Sequence, residues 1–76
     1  MYPEGILINK SINHIVVFER DINNPQHEGF ISFWEIRDNN KELIYKKRLM
    51  REKAIHQWLH LLKNKWEKLN DFKEVA

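Results

Sequence analysis

Lys46 to Leu69, KKRLMREKAIHQWLHLLKNKWEKL, is the one long stretch of this chain that carries a helical period. Ala54, Ile55, Trp58, Leu59, Leu62, Trp66 and Leu69 recur at three- and four-residue spacing, with Leu61 beside the stripe. Residues so spaced share one face of a helix. Lys53, Gln57, Lys63, Asn64, Lys65 and Glu67 fall on the other side. The pattern predicts an amphipathic helix over residues 49–69, about five to six turns long. Its N-cap is poor, because no Ser, Thr, Asp or Asn stands at 48–50. Glu52 in the first turn and Lys63, Lys65 and Lys68 near the end suit the helix dipole.

Everything before this stretch reads as short strands. Gly5-Ile6-Leu7-Ile8 and His14-Ile15-Val16-Val17-Phe18 are rich in β-branched residues and too short for helices. Strands are expected over 5–9 and 14–19, joined through the turn formers Asn9, Ser11 and Asn13. Residues 21–29, with Asn24-Pro25 and Gly29, read as a loop. A third strand is expected over 30–37 and a fourth over 42–46. Asp38-Asn39-Asn40 turns between them, since Asn tolerates positive φ. The expected fold is α+β: an antiparallel meander of three or four strands, then one long C-terminal helix packed on one sheet face. A short tail follows Asn70, and residues 1–76 are expected to form one domain.

Seventy-six residues bury only roughly 60% of the unfolded surface, which leaves a thin stability margin. With no cysteine there is no disulfide and no thiolate metal site. Three Trp, four Phe and two Tyr are the substitute for a staple. No apolar run reaches the roughly 18 residues of a membrane span, and the N-terminus lacks a secretory pattern. The expectation is a cytoplasmic protein with no membrane partner.

Charge is unevenly placed. Residues 1–45 hold four basic and seven acidic side chains, whereas 46–76 hold nine basic and four acidic ones. That polarity steers acidic partners toward the second half. Lys46, Lys47, Arg48, Arg51 and Lys53 form the densest cluster and are the candidate nucleic-acid contacts. A helix committed to packing is poorly suited to reading bases, so this is the alternative reading.

Enzyme chemistry finds little purchase. His56-Gln57-Trp58-Leu59-His60 has the two-His spacing of a zinc helix, but Gln57 stands where the hydrolytic motif needs a Glu base. Ser11 and Ser32 are the only serines, there is no Thr, and Gly5 and Gly29 are isolated. Neither a nucleophile setting nor a phosphate cradle exists. No catalytic residue, metal, cofactor or small-molecule substrate is expected.

The third strand alternates. Phe30, Ser32, Trp34 and Ile36 point one way, and Ile31, Phe33 and Glu35 the other. One helix covers one face, so apolar residues on the second are expected to meet a protein partner or a second copy. The candidate contacts are Ile31, Phe33 and Trp34, with Arg48 and Arg51 as a polar rim. Replacing both arginines by Ala is expected to spare the fold.

Gly5-Ile6-Leu7, Val16-Val17-Phe18, Arg48-Leu49, Ala54, Trp58, Leu62 and Trp66, in this order, resemble a small uncharacterised cyanobacterial domain family of marine picocyanobacteria. The resemblance spans about residues 5–66. Two departures stand out: Lys46-Lys47 where a Ser precedes the Arg, and Lys65 where a Gly precedes the second Trp. It implies the cytoplasm of a photosynthetic bacterium and no activity. The overall expectation is a non-enzymatic interaction or regulatory protein.

Overall fold

The structure, a computed structural model, describes residues 1–70. Five strands and one helix follow in the order β1 (Gly5–Asn9), β2 (His14–Arg20), β3 (Glu28–Arg37), β4 (Asn40–Met50), α1 (Arg51–Lys63) and β5 (Glu67–Leu69). All strand pairs are antiparallel, in the spatial order β4-β3-β2-β1-β5. The class is α+β with α1 on one face of the sheet. The tail expected after Asn70 lies, beyond that residue, outside the described residues.

Two corrections concern the stretch read as one long helix. β4 runs past the expected residue 46 to Met50 and takes Leu49 and Met50 from the start of the expected helix, because β3 begins at Glu28 and pairs as far as Met50. Their helical spacing is overridden by this long-range pairing, which local propensity cannot foresee. The helix is therefore 13 residues long. It ends at Lys63, because Lys65 takes a left-handed φ of 70°. There the Trp66 N–H donates to the Leu61 carbonyl at 3.2 Å and the Asn64 side chain donates to the His60 carbonyl at 2.6 Å. This is a Schellman-type stop without its usual Gly. Residues 67–69 then return to the sheet as a fifth strand beside β1, with Leu69 opposite Ile6.

The helix lacks a side-chain N-cap, as its sequence predicts. Its first N–H instead donates to the His27 carbonyl at 2.8 Å, which ties the 21–27 loop to the β4–α1 junction. The β3–β4 turn places Asp38 and Asn39 at φ 45° and 69°, a two-residue hairpin whose handedness matches strand twist.

Leu7, Val16, Phe18 and Ile31 face the helix and form the core with Tyr2, Ala54 and Leu61. Trp58 meets Phe18 edge-on, with centroids 5.1 Å apart. The buried line of the helix is thus Ala54, Trp58 and Leu61. Leu59 and Leu62, placed in the stripe from sequence, are 53% and 41% exposed. Ending the helix at residue 63 removes Trp66 and Leu69 from its stripe, so the helix turns Leu61 inward instead.

Candidate functional site

Strand alternation divides the sequence-derived candidates between two faces. Ile31 is fully buried beneath the helix, so it offers a partner no surface in the folded chain. Phe33 lies on the same side, half-buried, and stacks on Tyr45 at 4.8 Å. Trp34 points to the opposite face, where its indole N–H donates to the buried Ser32 hydroxyl at 3.0 Å. Arg48 is also on that face, and Arg51 is the first helical residue. The five do not form one surface. Their separation follows from the two-residue period of β3, which puts Ile31 and Phe33 under the helix and Trp34 away from it.

The face left bare by α1 carries a row of Ile8, Ile15 and Trp34, in register across β1, β2 and β3. Ile8 and Ile15 are buried, while Val17, Phe30, Trp34 and Ile36 are half-buried. None of these is among the exposed large apolar residues. Those concentrate instead on β4, where Leu43, Ile44 and Tyr45 are 48%, 49% and 44% exposed. β4 is the terminal strand of the sheet and pairs, among the described residues, only with β3. A β-bulge between Phe33 and Trp34 leaves Ile44 without an opposite residue on β3. The sequence showed Leu43-Ile44-Tyr45 as a strand. Its position at the edge depends on sheet order, which no local pattern encodes.

The basic cluster is also divided. Lys46 and Arg48 sit over the Phe30 ring, at 5.0 and 4.8 Å from its centroid. Lys47 points to the helix side, near Tyr45. With Leu49 it forms the β4 wall of an open groove of ≈ 970 Å³. The helix wall carries Lys53, His56, His60 and Lys63, with Glu52 among them. The histidine pair is therefore a groove feature, which its spacing on one helix face made legible although the groove itself was not. Among the described residues no group of three or more His, Cys, Asp or Glu is placed to hold a metal ion.

Arg48 is a structural arginine. It donates to Asp21 at 2.7 Å and to Glu28 at 3.3 Å. Asp21 is buried and opens the 21–27 loop by accepting the Asn23 N–H at 2.9 Å. The expectation that removing Arg48 and Arg51 spares the fold is corrected here, since Arg48→Ala would leave this carboxylate without its cation. The Asn23 N–H, and then Arg48, hold the Asp21 carboxyl below the usual carboxylate range. A lowered pKa contributes stability above the unfolded value that is lost as pH falls through the folded one. Thermal melts should therefore drop as pH falls below about 4. They should drop less steeply in Asp21→Asn, which is less stable at neutral pH but has no carboxyl to protonate. Parallel slopes for the two proteins would show that Asp21 contributes nothing to acid sensitivity.

Compared with known proteins, the chain matches no family model, no curated protein and no solved structure. Among the described residues no helix is long and apolar enough to cross a membrane.

Proposed function

We propose that this is a non-enzymatic interaction protein that works by strand addition at β4, with a second copy of the chain as occupant. The observation that carries this reading is the edge itself: an 11-residue strand, paired among the described residues on one side, with three consecutive large apolar residues about half exposed. Open edges recruit strands through their free N–H and C=O groups, and pockets or pairs on either side set the register.

Charge selects a register. Beyond the bulge, Glu42 and Lys47 point to the same face, because they pair with Glu35 and Ile31. A two-fold axis perpendicular to the sheet, passing between Ile44 and Tyr45, sets Glu42 against Lys47 of the second copy, twice over. It also sets Leu43 over the stem of Lys46 and Ile44 beside Tyr45. Lys41 meets Arg48 in this register, but the charge of Arg48 is already balanced by Asp21 and Glu28. Opposite charges directly across two strands contribute up to about 1 kcal/mol per pair.

Sedimentation from micromolar to millimolar concentration tests the proposal. Wild type should form a dimer, and Ile44→Asp, at an exposed position, should remain a monomer with an unchanged far-UV spectrum. Glu42→Lys should weaken the dimer about tenfold through two symmetric pairs, and adding Lys47→Glu should restore it. A wild-type monomer at millimolar concentration, or a dimer indifferent to Ile44→Asp, would sink the reading.

A further inference from the structure

We propose that the groove between α1 and β4 binds single-stranded nucleic acid. The argument concerns one copy of the chain; edge pairing would draw Lys47 toward Glu42 of the second copy, so the two readings compete for that side chain.

Its first support is charge. Lys47 reaches the groove from β4, and Lys53 and Lys63 reach it from the two ends of α1. All three are exposed, and none makes an ion pair among the described residues. Glu52 is the only acidic residue in the lining. Three separated cations on the two walls of a groove suit a string of phosphates better than a single carboxylate. Lys53 and Lys63 are ten residues apart, about 15 Å along a helix axis. That length fits a short run of bases, at the small end of known site sizes on the order of four nucleotides.

The second support is the aromatic pair on the same side of the sheet. Tyr45 lies two residues along β4 from Lys47, so both point to the groove side. Its ring is braced by Phe33, with planes 23° apart. The ring is 44% exposed, and the Lys47 ammonium stands 5.9 Å from its centre. Phe33 stacks on this ring and the Lys47 ammonium lies over it, so a base stacks there by displacing the flexible lysine, whose ammonium then takes the adjoining phosphate. His56 and His60 add hydrogen-bonding groups along the opposite wall. A duplex hides the faces of its bases, so it would leave Tyr45 without a partner; an acidic protein would use the lysines but not the ring.

The site differs from the basic cluster seen in sequence. Lys46 and Arg48 lie on the other face of β4, over Phe30. Lys46→Glu should leave binding in the groove largely intact, apart from long-range charge, whereas Arg48 holds Asp21 and is no neutral control.

Fluorescence anisotropy with mixed-sequence single-stranded DNA and RNA tests the proposal. A duplex of the same sequence and polyglutamate serve as competitors. Single strands should bind at low salt, with a log–log salt slope of about −2 for three phosphate contacts. Lys53→Glu with Lys63→Glu should cost at least about tenfold, with an unchanged melt because both side chains are exposed. Tyr45→Leu should weaken single-strand binding several-fold and leave any polyglutamate binding unchanged. Ile44→Asp should still bind, which separates this site from edge pairing. No single-strand binding at low salt, a preference for duplex or polyglutamate, or indifference to the double lysine change would each overturn the assignment.

Discussion

Gly29→Ala should destabilise the protein by about 3 kcal/mol or more, at the upper end for overpacking a core. Gly29 is buried in β3, between Arg20 of β2 and Leu49 of β4. A Cβ placed there would run into the Glu19 carbonyl and come within 2.5 Å of the Tyr2 ring. Neither neighbour can yield cheaply. The Glu19 carbonyl belongs to the backbone of β2. Tyr2 lies across the glycine and donates its hydroxyl to the Leu49 carbonyl at 2.9 Å, so that moving the ring also breaks a hydrogen bond. Burial of the phenol pushes its pKa up, in keeping with a neutral donor. The midpoint of thermal unfolding should fall by about 12–24 °C, at about 4–8 °C per kcal/mol for a domain of this size. Adding Tyr2→Ala should not rescue the variant, since the clash with Glu19 remains. A melt within a few degrees of wild type would show that the strands separate easily here and that the glycine is not required.

Trp58→Ala should cost about 3 kcal/mol, toward the lower end for removing a large aromatic because the ring is half-buried. The indole is wedged between helix and sheet. One edge meets Phe18, and its tip lies 3.0 Å from where a Cβ on Gly5 would be. Gly5 sits opposite Phe18 in the β1–β2 register, so one tryptophan covers both strands. Taking it away leaves α1 attached mainly through Ala54 and Leu61, and a helix of 13 residues is marginal in water without its packing. Far-UV circular dichroism should show lost helical signal at temperatures where wild type is intact. A native-like melt would remove Trp58 from the core.

Residues whose neighbours in sequence are also their partners in space were read closely. The β1–β2 hairpin has bounds of 5–9 and 14–20 in the structure against 5–9 and 14–19 from sequence. The Asp38-Asn39 turn appeared where its composition puts it, because the left-handed conformation is a local property of Asn and Asp. The alternation of Phe30 to Ile36 was also correct, but the face that α1 would cover was not legible. Candidate contacts were consequently drawn from both faces, and Ile31 proved to be core.

Lys65 shows how a single backbone conformation changes a long reading. Trp66 and Leu69 continue the spacing of the helix, and Asn64, which caps its end, reads in the sequence as one residue of the polar side. The left-handed φ at Lys65 ends the helix, a conformation that Gly would take at lower steric cost. Trp66 then returns to pack on the core, and Leu69 pairs with Ile6.

The amino-acid pattern alone indicated an antiparallel α+β chain and its charge polarity. These depend on side-chain type, short spacings and local turn chemistry. Sheet order, which comes from pairings far apart in sequence, decided the rest. It drew Leu49 and Met50 out of the expected helix into β4, split the basic cluster across two faces, and left Leu43-Ile44-Tyr45, among the described residues, at an open edge. It also set Lys47 against Lys53, His56, His60 and Lys63, a groove whose walls meet only when β4 and α1 pack side by side.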